Sequence, residues 1–365
     1  MKRILFLTNY PSPYRVNFFD ELGRLCDLTV LYFAKPTAYR DENWFVESKG
    51  YFQAVQLGKR KLSFRGKTVC LDVADWLKQN WDAIVVCGYS LPTTMYAIHY
   101  LRRHKIPFFM EVDGGLIRET SGAKYRFKKS LVSAASWWLG SGEQTMEYLV
   151  NYGAKRERVN TYPFTSLYES DSLCVPQTKE EKRQLRQELN MPEEKIALYV
   201  GRFTEAKGMD ALLKAAPEIE GDCGIYFIGG GPEKEHLAFC EEKHLDNVHF
   251  VGFQKKDALL RYYKAADLLV LPTHSDVWGL VINEAMACGL PVVTTDKCVA
   301  GMELIRNGVN GYIVPVKEHA PLVEAVNAVL NGNYEEMGAA ALETIRPYSL
   351  ENMAKVHMDI FERVK

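Results

Sequence analysis

Two stretches of the 365-residue chain gather side chains that could hold a diphosphate and a sugar. The first, Tyr199-Val200-Gly201-Arg202-Phe203-Thr204-Glu205-Ala206-Lys207-Gly208, reads as a strand running into a glycine-bounded loop and then a helix from about Met209. Glycines permit tight backbone, a helix N-terminus carries partial positive charge, and Arg202 and Lys207 add two full charges beside it. That set suits a diphosphate; the alternative is a solvated loop whose cations pair with Glu205. The second stretch runs from Pro272 through Asp276, Gly279, Leu280, Val281 and Glu284 to Gly289 and Pro291. Here a strand should end, a loop should carry Asp276, and a helix should start near Gly279 with Glu284 about a turn and a half inside it. Carboxylates accept paired hydrogen bonds from vicinal hydroxyls, so Asp276, Glu284 and the helix-end amides could line one pocket for a sugar or a ribose.

Other motifs are weaker. Gly229-Gly230-Gly231-Pro232 follows a predicted strand, and a turn of such small residues would let a ligand approach the backbone. The first strand is not followed by GxGxxG, and the loop after Val200 lacks Walker A spacing. Asp113 stands at a predicted strand end beside Gly114 and Gly115, where it could act on a substrate or hold the turn. There is no DxD triplet for a divalent metal, and Glu111-x-Asp113 is a poor substitute, so the sequence implies neither a metal nor a cofactor.

The elements that must position these groups follow from the hydrophobic pattern. Short β-branched runs alternate with helix-period segments, as in parallel sheets joined by crossover helices. Strands are predicted at 4–8, 28–32, 83–87, 107–112 and 137–140, with helices over 14–25, 71–79, 93–104 and 144–152. After a connecting stretch and short exposed helix at 166–190, strands recur at 196–200, 225–228, 249–251, 268–271, 291–295 and 311–314. The reading is therefore α/β, with two doubly wound, Rossmann-like domains facing across a cleft. They cover 1–165, joined by a C-terminal helix over 348–365, and 191–347. Length alone favours two domains, because single cores stop growing at roughly 250–300 residues. Ligands in such sheets sit outside the carboxyl ends of the strands.

The net charge of −1 hides an asymmetry: residues 1–165 hold 24 Lys and Arg against 15 Asp and Glu, and the remainder 21 against 31. The basic half should face an anionic partner. Lys124-Tyr125-Arg126-Phe127-Lys128-Lys129, with Trp137-Trp138 beyond it, mixes cations with aromatics and could dock on anionic lipid, or be a solvated helix face. Eight cysteines without CxxC or zinc-ligand spacing read as buried thiols of a reducing compartment. The opening Met1-Lys2-Arg3-Ile4-Leu5-Phe6-Leu7 imitates a signal peptide but stops too early at Thr8-Asn9, and reads as a first strand. No apolar run is long enough to span a bilayer, so a cytoplasmic location with peripheral membrane contact is expected.

The second half resembles the donor domain of glycosyltransferase family 4, the retaining group 1 enzymes of the GT-B fold. Four segments carry the resemblance: Val200-Gly201-Arg202 through Lys207-Gly208; Phe227 to Glu233; Phe250-Val251-Gly252-Phe253 through Ala266-Asp267; and Asp276 to Pro291. It implies that Arg202 and Lys207 hold the donor diphosphate, with Gly201, Gly230 and the amides at Gly279, Leu280 and Val281 around the donor. Glu284 would bind the ribose, Gly252 and Phe253 would flank the base, and Asp276 would bind the donor sugar. The family usually has Glu at this first acidic position, one methylene longer. In the first half Asp113 corresponds to the acidic or His residue that relatives aim at the acceptor.

The implied function is retaining, metal-independent hexosyl transfer from a nucleotide sugar, most readily a UDP-sugar, with no nucleic acid involved. The acceptor would be a glycan or lipid-linked molecule in bacterial surface polysaccharide synthesis, such as capsule or lipopolysaccharide. A nucleotide-sugar epimerase or phosphorylase could use the same fold. An NAD oxidoreductase is disfavoured by the missing GxGxxG and the cation pair, and an exported sugar-binding protein by the missing export signal.

Overall fold

The structure is a computed structural model and describes residues 1–34, 47–117 and 122–364. It divides into two compact units, one of residues 1–166 with 348–365 and the other of residues 167–347.

The first unit runs β1 (Arg3–Thr8), α1 (Pro13–Gly23), β2 (Asp27–Tyr32), β3 (Gln53–Gln56), β4 (Lys61–Phe64), β5 (Lys67–Cys70), α2 (Val73–Leu77), β6 (Ala83–Cys87), α3 (Pro92–Arg103), β7 (Phe109–Val112), α4 (Gly122–Val132), β8 (Trp137–Gly140), α5 (Glu143–Asn151) and β9 (Val159–Thr161). Seven of these strands form a parallel sheet in the order β3-β2-β1-β6-β7-β8-β9. Ile4, Leu5, Phe6 and Leu7 are all fully buried, because helices cover both faces and leave no polar side to alternate with. Pro13 and Pro92 open α1 and α3, where a missing N–H costs nothing and φ is already helical.

The second unit begins with α6 (Lys179–Leu189) and continues β10 (Lys195–Val200), α7 (Met209–Ala215), β11 (Cys223–Ile228), α8 (Lys234–Lys243), β12 (Val248–Val251), α9 (Lys256–Ala265), β13 (Leu268–Leu271), α10 (Leu280–Ala287), β14 (Val292–Thr295), α11 (Val299–Leu304), β15 (Gly311–Val314), α12 (His319–Asn331) and α13 (Tyr334–Ile345). Its sheet is parallel with the order β12-β11-β10-β13-β14-β15. The chain then returns to the first unit as α14 (Leu350–Arg363), which packs on α1 and sets Phe361 against Phe6 and Phe109.

The predicted strands fall within a residue or two of the observed ones. The apolar pattern does not mark β3 and the β4–β5 hairpin, which are short and mostly exposed, or β9, which has three residues and one buried side chain, Val159. The helix predicted over 71–79 is only the short α2. The charged stretch after Pro176 belongs to the second unit: Thr178 and Glu181 close a reciprocal cap, and α6 is held to the sheet from beneath. Lys182 Nζ (2.8 Å), Arg186 (2.6 Å) and the Ile196 amide (2.9 Å) all donate to buried Asp267. Two cations around one carboxylate leave it fully paired, whereas removing it strands both in a low-dielectric setting. Asp267→Ala should therefore cost about 3–5 kcal/mol, seen as a lower denaturant midpoint.

Candidate functional site

In the second sheet the chain leaves β10 towards β11 and leaves β13 towards β14, the opposite direction. β10 and β13 are neighbours, so the loops after them emerge side by side at the carboxyl edge where the winding reverses. These loops are the two stretches that sequence reading singled out. The Ala206 carbonyl joins them, accepting from Thr273 Oγ1 (2.7 Å) and the His274 amide (2.9 Å). Gly208 stands at φ +68°, and a Cβ there would lie 1.9 Å from the Pro272 carbonyl oxygen, so only glycine lets the loops approach this closely. Across this seam Lys207 and Asp276 form an ion pair, their side chains 23% and 12% exposed. Glu205 is not the partner of Lys207.

Asp276 is itself fixed by backbone. Its amide donates to the Lys297 carbonyl (2.9 Å), and the Val299 amide donates to its carbonyl (3.3 Å). Gly279, at φ +104°, turns the chain into α10, whose first residues are Leu280 and Val281; a Cβ at 279 would meet Cys298 Sγ at 2.7 Å. Buried Trp278 donates through Nε1 to Asn283 (2.8 Å). The next residue, Glu284, one turn after Leu280, accepts from the Tyr263 hydroxyl (3.1 Å). Burial, and then the Glu284 charge, push the Tyr263 phenol well above its ordinary value, so it stays a donor. Tyr263, Trp278 and Cys298 were missed as supports because each reads as core in the sequence.

Arg202 is exposed. The Gly201 amide donates to the Ile228 carbonyl (2.9 Å), and a Cβ at Gly229 would lie 2.6 Å from the Gly201 oxygen. A Cβ at Gly230 would press on the Phe203 ring at 2.9 Å. These glycines therefore answer first to packing between the ends of β10 and β11. Gly252 faces open space, and Phe253 is 43% exposed.

Asp113 belongs to the first unit, and it is not solitary. Buried Arg15 on α1 bonds both Glu111 (2.8 Å) and Asp113, and Tyr162 donates to Asp113 (3.2 Å). The Cys87 thiol donates to Glu111 (3.1 Å), and His357 of α14 lies 3.6 Å from it. Burial would raise Glu111, but Arg15 and His357 outweigh it and hold the carboxyl well below its ordinary 4.5. Asp113 is raised, chiefly by burial and by the charge of Glu111, against the pull of Arg15.

Comparison with known proteins bears on the second unit above all. Residues 181–344 match the family described as "Glycosyl transferases group 1". The second unit is a group 1 glycosyltransferase domain. An uncharacterized glycosyltransferase of Methanocaldococcus jannaschii is 33% identical over 192 residues, which cover 50% of this chain and 49% of that protein, about half its length. A D-inositol 3-phosphate glycosyltransferase of Xylanimonas cellulosilytica is 25% identical over 357 residues, 94% of this chain and 77% of that one. Among solved structures, Anabaena HepE in complex with UDP superposes with a TM-score of 0.77 at 17% identity, covering 99% of this chain and 100% of that one. The glycosyltransferase fold of this chain is GT-B.

The buried cluster in the first unit gives a test. Arg15→Met leaves Glu111 and Asp113 buried without their cation, at a cost of about 3–5 kcal/mol near neutral pH. In the wild type, Glu111 contributes stability above the unfolded carboxyl range and loses it as the pH falls. In the variant both carboxyls should prefer the protonated form, so the deficit should shrink between about pH 7 and 5, measured by urea unfolding.

Proposed function

We propose that the chain is a retaining hexosyltransferase that takes its sugar from a nucleoside diphosphate, with the donor held at the carboxyl edge of the second sheet. The observation that carries this reading is the Lys207–Asp276 pair at the winding reversal, a cation and a sugar-hydroxyl acceptor already in contact. The UDP bound by its structural neighbour HepE supports uracil as the base.

Breaking the bond to a nucleoside diphosphate builds negative charge on the leaving oxygen, so catalysis rests on positive groups already in place there. Lys207, Arg202 and the amides at Gly279, Leu280 and Val281 are that supply. Asp276 pairs with the Lys207 ammonium; a diphosphate would share it and free carboxylate lone pairs for the sugar. Glu284, oriented by Tyr263, would accept from the ribose hydroxyls. The reading needs no enzyme nucleophile, because the departing phosphate can take the acceptor's proton on the face it leaves. It invokes no metal, since the cations already balance the diphosphate charge. Asp113 would serve the acceptor side through the Arg15 cluster. The basic first half fits a lipid-linked or glycan acceptor of surface polysaccharide synthesis and peripheral contact with anionic membrane.

Lys207→Ala should lose at least about 2 kcal/mol of transition-state stabilisation, read as kcat/KM for sugar transfer, with the folded state intact by circular dichroism. Unchanged turnover would remove Lys207 from the site. The two carboxylates should fail differently. Glu284→Gln should weaken free UDP by about 1.5–3 kcal/mol in calorimetry, the scale of a charged hydrogen bond. Asp276→Asn releases Lys207 from its partner, so free UDP should bind at least as well as to the wild type while transfer falls. Equal loss of UDP affinity in both variants would overturn this division of roles.

A further inference from the structure

The β4–β5 hairpin belongs to the first unit, and its composition is unusual. Residues 59–68, Lys59-Arg60-Lys61-Leu62-Ser63-Phe64-Arg65-Gly66-Lys67-Thr68, contain five cations and no acid, and all ten are exposed. Arg65 at φ +48° and Gly66 at φ +73° make the tight turn that joins Phe64 to Lys67.

Register sorts the side chains. Paired residues share a face, so Leu62, Val69, Phe64 and Lys67 lie on one side of the ribbon. Lys61, Ser63, Thr68 and Cys70 lie on the other, where Ser63 and Thr68 join hydroxyls (2.9 Å) and Cys70 is buried against the body of the unit. The apolar face is therefore the one turned away from the core, with Leu62 63% and Phe64 74% exposed. Nearby acids cancel one of the five charges, that of Arg60. Asp72 is spent on the Gly58 and Lys59 amides, and Asp75 on Arg60 and Lys78.

We propose that this hairpin docks on an anionic lipid bilayer, with Leu62 and Phe64 entering the headgroup–acyl boundary, Arg65 and Lys67 beside them meeting lipid phosphates, and Lys59 and Lys61 adding to the attraction from the other side of the ribbon. It names the surface for the membrane contact of the preceding section, and rests on that reading to this extent only. Two exposed apolar side chains ringed by cations match an interface whose polar layer is anionic and whose next layer is hydrocarbon. A nucleic acid would match the cations but would leave aliphatic Leu62 without a partner.

The alternative basic segment, α4, offers less. Trp138 is buried with its Nε1 donating to the Val132 carbonyl (2.9 Å), and Trp137 stacks on Phe109. Lys128 is drawn over the Tyr148 and Tyr152 rings at 4.3 and 3.4 Å, leaving Lys124, Arg126, Phe127 and Lys129 exposed on the helix.

The test is sedimentation of the full chain with vesicles of phosphatidylcholine alone or with about one third phosphatidylglycerol, at low and raised salt. The wild type should bind only the anionic vesicles, less so in salt. Leu62→Ser with Phe64→Ser, and separately Lys61→Glu with Lys67→Glu, should each weaken binding roughly tenfold or more, with unfolding midpoints unchanged. Phe64→Trp should show a blue-shifted emission difference on adding anionic vesicles. Binding by the wild type that both hairpin variants retain, while Lys124→Gln with Arg126→Gln abolishes it, would overturn the hairpin assignment and keep the membrane reading. No wild-type binding would overturn both. Equal binding to neutral vesicles, or displacement of the protein from vesicles by single-stranded RNA without loss in the Leu62/Phe64 variant, would also overturn it. No donor sugar enters these assays, so they stand apart from failure of glycosyl transfer.

Discussion

The Ala206 carbonyl, bonded at once by Thr273 and His274, is the contact on which the geometry of the candidate site depends. It joins loops that are about seventy residues apart in the chain but follow neighbouring strands. The constraint behind it is topological: a doubly wound sheet must reverse its winding somewhere, and at the reversal no crossover helix lies over the strand ends. Gly208 then allows an approach that a Cβ would forbid, and the approach sets the Lys207 ammonium against Asp276. A rigid backbone seam thus holds two charged side chains whose energetic value would be small on an exposed loop.

Two kinds of buried charge appear in this molecule, and they do different work. Asp267 beneath the second sheet ties α6 to β10 by satisfying every hydrogen-bonding direction it has been given, and lies away from the carboxyl edge. The Arg15 cluster lies at a carboxyl edge, where Glu111 is the last residue but one of β7 and Asp113 directly follows the strand. One guanidinium serves two carboxylates there, so one of them is held ionised and the other is raised. α14, which arrives from the far end of the chain, contributes His357 to the same cluster, so this group of charges is completed only when the first unit regains its last helix.

The charge asymmetry along the chain finds a physical location in the first unit. Five cations without an acid sit on a short exposed ribbon and four on the aromatic-rich α4, where Lys128 is drawn over tyrosine rings, because aromatics pair well with cations inside a fold as well as at a lipid surface. Exposure separates the two cases, and exposure is a property of the fold. Of the eight cysteines, Cys174 is exposed while the others are buried or half-buried, a difference that spacing gives no hint of.

The sequence by itself determined the α/β class, most strands of both sheets and the two loops that matter, because buried parallel strands leave nearly continuous apolar runs and glycine-bounded loops interrupt them legibly. It also marked Lys207, Asp276 and Glu284 by type and spacing. Only the tertiary structure decided what those groups touch: Lys207 meets Asp276 rather than Glu205, Glu284 takes its hydrogen bond from Tyr263, and Asp113 shares Arg15 with Glu111. Each of those partners is distant in the chain, and strand order, which residue spacing does not encode, is what brings it near. The same holds for the exposed strands β3, β4 and β5 and the three-residue β9, whose side chains bury too little apolar surface to leave a pattern until their neighbours are in place.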